Sequence, residues 1–266
     1  MRQPPRFHVE SLHIGEVELS TAEAHHALHV MRLEPGAVVR LFDGCGRFSD
    51  GELTILGARG SSKRAKGAAV RVATMQSAPP PARRLTLLVG GCKAPRLDWL
   101  AEKCAELGVS SLRIIRTAHT VVEPRETHLD KLRRTAIEAC KQCGGKFLPE
   151  IAIGGTLTQE LAALHPSPRP RSGLSDREES PAHPEAGPAL IVCDPDADTW
   201  LVDAAASSRA RRVVAIIGPE GGLTTEEVRA CVAAGALGVR LASELLRVET
   251  AAISVAAVFA AARPPA

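Results

Sequence analysis

Residues 213–250 read VVAIIGPEGGLTTEEVRACVAAGALGVRLASELLRVET, and this stretch limits the possible folds more than any other. Its apolar run, 213–217, is rich in β-branched side chains and has the length of a strand buried on both faces. The run stops at Gly218-Pro219-Glu220-Gly221-Gly222. Pro219 has no N–H to give a sheet ladder, and the glycines admit backbone angles closed to other residues. Thr224 and Glu227 then stand at capping-box spacing, so a helix opens there and runs to about Ala234, ended by Gly235. A second short strand, 237–241, leads through Ala242-Ser243-Glu244 into Leu245-Leu246-Arg247-Val248-Glu249-Thr250 and an Ala-rich helix over 251–262. That helix is apolar on nearly all sides, as suits a helix enclosed on several faces. Two strand ends therefore send two turns to one edge of a parallel sheet, where open α/β sheets bind ligands. Taken alone, GPEGG is also the sequence of a plain tight turn. The pairing of the two turns is what points to a site.

The residues upstream supply the rest of such a sheet. A strand is expected over 85–89, then a helix over 96–107 with Pro95 at its start and Gly108 at its end. Leu97, Leu100, Cys104 and Leu107 recur along it at helical spacing. A strand over 112–115, a polar loop over 117–125 carrying His119, and a helix over 129–142 follow. Pro149 and Glu150 enter another strand, and 190–193 resumes the sheet before Asp194-Pro195-Asp196 ends it. Between them, residues 165–188 are rich in Pro, Ser and charge and hold almost no large apolar side chain. Such a segment cannot offset its ordering entropy, and a disordered insertion is expected. The alternation from residue 83 onward predicts an α/β domain with helices on both faces of a parallel sheet. Neither a G-x-G-x-x-G fingerprint nor a P-loop accompanies it.

Residues 1–76 read as a separate, β-rich domain, joined by a stiff proline linker over 77–82. Alternating residues 15–19, a strand over 37–42, a turn at Asp43-Gly44, a returning arm over 48–56 and a strand over 70–73 make up its sheet. Ser20 and Glu23 have capping-box spacing for a helix over 24–31. His25, His26 and His29 fall on that helix with spacing that suits a metal, but no carboxylate or cysteine joins them, and a packed or solvated face is expected. Cys140 and Cys143 form one C-x-x-C among seven cysteines. With no second pair and no regular spacing, reduced thiols are expected rather than zinc or disulfides. The loop 59–71 gathers Arg59, Lys63, Arg64, Lys66 and Arg71 among small residues, a solvated face that equally suits RNA phosphates. With 3% aromatics and no tyrosine, stacking platforms for single strands are not expected. The net charge of +3 is too small to decide anything by itself. No apolar run approaches the roughly 20 residues that span a bilayer, and the start MRQPPRFHVE lacks the apolar core of a signal peptide. A soluble cytoplasmic protein is expected, without metal or membrane.

GPEGG at one strand end and LLRVETA at the next resemble the two cofactor-binding loops of the SPOUT class of RNA methyltransferases. Within that class the chain is most similar to the RsmE family. Lys93, Arg96, Asp98 and the run 102–109 resemble that family's ELGV block, and Glu138-Ala139 with Gln142 resembles its EA-x-x-Q segment. Two departures stand in the second loop, Ala242 at a usual glycine and Glu244 at a usual arginine. A third lies after Gln142, where Lys146 stands beyond Gly144 and Gly145 in place of an arginine. The resemblance implies a PUA-like barrel ahead of a SPOUT domain whose C-terminal segment is tucked into a trefoil knot, and a homodimer. It implies methylation of N3 of a specific uridine in 16S, small-subunit ribosomal RNA, with S-adenosyl-L-methionine as donor. Cofactor contacts then fall to Cys193, Ile217, Gly218, Glu220, Gly221, Gly222, Leu241, Ala242, Leu245, Leu246 and Thr250. RNA contacts fall to Arg32, Lys63, Arg64, Lys66, Lys93, Arg96 and Lys146. Other SPOUT activities, on a ribose 2′-hydroxyl or on transfer RNA, and a non-enzymatic RNA-binding protein remain the alternatives.

Methyl transfer to a uridine N3 requires that nitrogen to lose its proton, so a base or a group that stabilises the anion on the flanking carbonyls is needed. Arg247 is the candidate for the charge. Glu220 and Glu249 are the candidates for the base, though either also suits a ribose contact or a helix cap.

Overall fold

The structure, a computed structural model, describes residues 3–56, 67–122, 125–164 and 187–262. Arg59, Lys63, Arg64 and Lys66 of the basic loop, and nearly all of the 165–188 stretch, lie outside the described residues. The chain forms two compact units, Met1–Pro81 with Ala136–Leu148, and Ala82–Thr135 with Pro149–Ala266.

The first unit holds β1 (Arg6–His8), β2 (Gly15–Glu18), α1 (Thr21–His25), β3 (Val38–Phe42), β4 (Arg47–Leu56), β5 (Gly67–Val72) and β6 (Gln76–Ser77). Its sheet runs β1-β3-β4-β5-β2, with β6 on β4; β1 lies parallel to β3, and the other pairs are antiparallel. Alternate residues turn Val17, Val39, Leu41, Leu53 and Val70 into one core with Phe7 and Leu12. Ser20 caps α1 by accepting the Glu23 N–H at 3.3 Å, but the reciprocal bond of a capping box is replaced. The buried Glu23 carboxylate accepts instead from Lys141 Nζ at 2.9 and 3.2 Å and from the His8 N–H at 3.4 Å. The helix expected over 24–31 begins earlier, at Thr21, and after His25 it continues as a wider π turn, His26–Val30. Arg32 follows in the left-handed region at φ 53°, the one non-glycine there among the described residues.

Residues 136–148 group with this unit, although the sequence places them in a single domain from residue 83. Two contacts account for it. Lys141 is buried against Glu23, and the segment 146–148 pairs with the turn at 44–46, Leu148 N–H to Gly44 O at 2.8 Å and Gly46 N–H to Lys146 O at 2.9 Å. Gly44 and Gly46 both have positive φ, and Leu148 and Phe147 occupy the space where side chains would stand.

The second unit carries β7 (Arg84–Gly90), α2 (Ala94–Glu106), β8 (Ser111–Arg116), the first part of α3 (Leu129–Cys143), β9 (Glu150–Thr156), α4 (Leu157–Leu164), β10 (Ala189–Cys193), α5 (Leu201–Ser207), β11 (Arg212–Ile217), α6 (Thr225–Ala233), β12 (Leu237–Val239) and α7 (Val248–Ala261). The sheet runs β12-β10-β11-β7-β8-β9 and every pair is parallel. β7 and β11 form its centre, and their continuous apolar runs fit burial on both faces. Leu88, Val192, Val214 and Ile216 face Leu157, Leu161 and Cys231, while α7 covers the other side against β7, β11, α2 and α5. α7 begins at Val248, three residues earlier than expected, because Arg247 is its N-cap and Glu249 lies in its first turn, where a negative charge suits the helix dipole.

Parallel strands bring all their carboxyl ends to one edge. At that edge Gly90, which ends β7, meets the GPEGG turn that ends β11. A Cβ on Gly90 would overlap the Pro219 nitrogen and lie 2.7 Å from Pro219 Cδ and 2.9 Å from the Gly218 carbonyl carbon. Gly90→Ala is therefore expected to cost about 1–3 kcal/mol by overpacking, or about 2–4 °C of melting temperature per kcal/mol. A thermal melt by circular dichroism within a degree of the unaltered chain would contradict this close approach.

A second expectation comes from Glu160. Burial acts to raise its carboxyl, but the Arg113 guanidinium, at 2.8 and 3.0 Å, and the Gly155 N–H hold it below the ordinary value. A depressed folded-state value means that the contribution is complete above the unfolded value and fades as pH falls through the folded one. Glu160→Gln is expected to destabilise by about 1–3 kcal/mol at neutral pH, with the gap narrowing below about pH 4. Urea titrations of both proteins across pH check this, and a gap constant with pH would refute the assignment.

Candidate cofactor cavity at the sheet edge

A cavity of about 490 Å³ opens at the carboxyl edge of the second unit. Three strand ends build it. Cys193 ends β10 and Asp194, Pro195 and Asp196 follow it; Ile217 ends β11 and Gly218, Pro219, Glu220 and Gly222 follow; Val239 ends β12 and Leu241 and Ala242 follow. Glu244, Leu245, Leu246, Arg247 and Val248 close it as the chain enters α7, and Arg96 reaches in from α2.

Of the residues singled out as cofactor contacts, Gly221 and Thr250 do not line the cavity; Cys193, Ile217, Gly218, Glu220, Gly222, Leu241, Ala242, Leu245 and Leu246 do. Gly221 is turned toward the loop after β8, where its carbonyl accepts from His119 Nδ1 at 2.9 Å. A Cβ at Gly221 would lie 2.9 Å from the His119 Cβ. Thr250 is exposed on the first turn of α7. Gly222 takes φ +72°, and a Cβ on Gly218 would lie 2.9 Å from the Leu223 nitrogen, so the turn closes on itself through bare backbone. Thr224 and Glu227 make the full reciprocal capping box that fixes the start of α6. Glu227 also accepts the Ala118 N–H at 2.8 Å, tying the loop after β8 to the same turn.

Arg96 organises the charged side of the cavity. Its Nη1 donates to Glu220 Oε1 at 2.5 Å, and its Nε lies 3.5 Å from Glu249 Oε1. Glu249 is 7% exposed, and its Oε2 is buried with no hydrogen-bond donor among the described residues. A buried, charge-paired carboxylate with one oxygen unmet is poised to accept a proton or an N–H. Arg247, exposed at the N-cap of α7, lines the same cavity and makes no cap bond. Arg96, expected as an RNA contact, is engaged by these two carboxylates. The spacing of 96, 220 and 249 along the chain carries no signal of that arrangement. Asp194 and Asp196 were read as the end of a strand, yet they add negative charge to the lining, as does Glu244. The cavity thus carries four carboxylates against two guanidiniums, a lining suited to a ligand with positive charge.

The other described residues expected at RNA fall in both units. Lys93 is the exposed N-cap of α2 in the second unit. In the first unit Arg32 is exposed after the π turn, and Lys146 lies over the Phe48 ring at 4.5 Å. Cys140 and Cys143 are free thiols; burial first, and the neighbouring Cys143 next, push Cys140 up to about 12, so it stays protonated. His26 turns its ring edge toward Phe7 and lies 3.2 Å from Lys141 Nζ, which gives it a packing role.

Known proteins with this arrangement are RNA-modifying enzymes. The family model for an RNA methyltransferase domain matches residues 79–260, and that for an RNA methyltransferase PUA domain matches residues 19–60. The ribosomal RNA small subunit methyltransferase E of Mycobacterium bovis is 30% identical, covering 86% of this chain and 80% of its own length. The same-named enzyme from Neisseria gonorrhoeae, solved bound to S-adenosyl methionine, is 25% identical with a TM-score of 0.73 over 96% of both chains. A methyltransferase from Legionella pneumophila, solved with the bound cofactor SAM, is 25% identical with a TM-score of 0.74 over 97% of both chains. With its RNA methyltransferase domain at the sheet edge and its PUA domain ahead of it, the chain belongs to the family of ribosomal RNA small subunit methyltransferase E, the RsmE family.

Proposed function

We propose that this protein transfers the methyl group of S-adenosyl-L-methionine to N3 of a uridine in 16S, small-subunit ribosomal RNA. The observation that carries the proposal is the cavity made at the ends of three neighbouring strands, β12, β10 and β11, of a parallel sheet, with small-residue turns after β11 and β12, in a chain of this family. The donor set fits the cofactor. Bare backbone around Gly218, Gly222, Leu241 and Ala242 lets an adenine and ribose approach closely, and the excess of carboxylates suits a sulfonium with an ammonium. When bound there, the cofactor supplies an electrophilic methyl carbon for in-line displacement, a reaction that depends mainly on holding donor and acceptor in line.

Glu249 is the better candidate for the base. Its Oε2 has no donor, whereas Glu220 is held by Arg96 at 2.5 Å and is part-exposed. The N3 proton passes to that carboxylate, and Arg247 stabilises the charge left on the flanking carbonyl oxygens. Arg96 keeps both glutamates in place. Arg32, Lys93 and Lys146 are proposed phosphate contacts, which position RNA without reading its sequence. Exposed Trp99, Trp200 and Val202 on the second unit support a homodimer, measurable by light scattering. The passage of the chain from β12 at one sheet edge, past the pairing of residue 240 with 199–201, to α7 over the central strands supports the knotted SPOUT course. No helix among the described residues is long and apolar enough to cross a membrane, and a cytoplasmic protein is proposed.

Labelled S-adenosyl-L-methionine with small-subunit particles from a methylation-deficient strain, followed by nucleoside mass spectrometry, is expected to yield 3-methyluridine. Another methylated nucleoside would refute the N3 assignment, and an absent one would refute the activity. Arg247→Ala is expected to keep cofactor affinity and to lose about a hundredfold or more in turnover. Glu249→Gln is expected to lose about 10²–10⁴-fold, and Glu220→Gln less. Single-turnover rates separate these, and an active Glu249→Gln protein would remove that residue as base.

A further inference from the structure

A second cavity, of about 520 Å³, opens in the same unit between the first turn of α2 and the loop after β8. Cys92, Ala94, Leu97, Val121 and Val122 form an apolar wall, with Arg125 and His128 as its polar groups. Its volume falls in the range of small-ligand sites, roughly 300–1,000 Å³. Its wall is chemically inert. The Cys92 thiol is pushed up to about 12 by burial, with the Glu220 and Glu249 charges adding to that, and so it is a neutral surface rather than a nucleophile.

The two cavities have no lining residue in common, but neighbouring residues of one helix turn line them both. In the first turn of α2, Arg96 lines the cofactor cavity, while Ala94 and Leu97 line the second. The loop after β8, whose end lines the second cavity, is fastened to the GPEGG turn through His119 to Gly221 O and through Ala118 N–H to Glu227. Cys92 lies two residues beyond Gly90, which abuts Pro219. The turn and Arg96 thus belong to elements that are tied to both cavities. Arg125 is exposed and in no ion pair among the described residues, while the cations Lys131 and Arg133 are matched to Asp98 and Asp130.

We propose that this second cavity receives the acceptor nucleotide of the RNA, its pyrimidine ring against the apolar wall and its phosphate on Arg125. The proposal rests on the reading of the first cavity as the site of the methyl donor. A flat neutral ring suits a wall whose described residues are apolar, and an exposed guanidinium at its rim suits a phosphate, which it can bind in a bidentate manner.

The test uses the full chain, S-adenosyl-L-methionine and unmodified small-subunit particles. Arg125→Ala is expected to leave cofactor affinity, read by calorimetry, within about twofold. It should raise the KM for particles about tenfold and make the log–log salt dependence of binding shallower by about one unit. Arg125→Lys should recover part of that loss. Ala94→Phe, which fills the cavity, should abolish transfer while the cofactor still binds. Unchanged KM and salt slope in Arg125→Ala, with an active unaltered protein, would overturn the proposal even if Ala94→Phe failed to fold. An unaltered protein that binds no cofactor or forms no methylated nucleoside would overturn the underlying reading, and this proposal with it.

Discussion

The parallel pairing of β7 with β11 is the constraint on which the site depends. Residues 84–89 lie in register with 212–217, so the two strands end together and their following residues must share one small space. Gly90 and the GPEGG turn can do so because one side presents no side chain and the other is folded back by Pro219 and Gly222. From that contact the rest follows in order. The turn aims Glu220 at Arg96, Arg96 reaches Glu249 at the start of α7, and the loop after β8 is held by Gly221 and Glu227. A shift of one residue in that register would exchange the two faces of β11 and dissolve the arrangement.

Much of this was legible in the residues. Thr224 and Glu227 announce α6 because a capping box is a local device, made within four residues. The apolar runs of β7, β10 and β11 announce a sheet buried on both faces, and Gly108 and Gly235 mark helix ends that the structure places at positive φ. The pairing of the two turns pointed to the edge of the sheet, and nine of the eleven residues that the family resemblance assigned to the cofactor line the cavity there.

What escaped was non-local. Ser20 and Glu23 have the spacing of a second capping box, but a lysine far along the chain takes the carboxylate away. Arg96 was read as an RNA contact, and nothing near it in the chain announced the two glutamates more than a hundred residues later that pair with it. Asp194 and Asp196 looked like the end of a strand because nothing nearby shows which cavity a strand end will face. Gly90 sits beside Gly91, and sequence gives no reason to choose between them; the contact with Pro219 does. In each case the deciding partner lies in another element, and local propensity carries no trace of it.

The composition of the first unit has a consequence for anyone who would cut the chain. Excised at its proline linker, the segment ending at Pro81 would keep the strands of its sheet in sequence but lose Lys141, so that folding would bury the Glu23 carboxylate without its ammonium partner. It would also lose Phe147 and Leu148, exposing the bent backbone at 44–46. During synthesis the same residues arrive only after β7, α2 and β8 have emerged, so the unit that begins first cannot finish first. An isolated fragment that is to fold needs 136–148 supplied as well, either as a separate peptide or joined by a new connection.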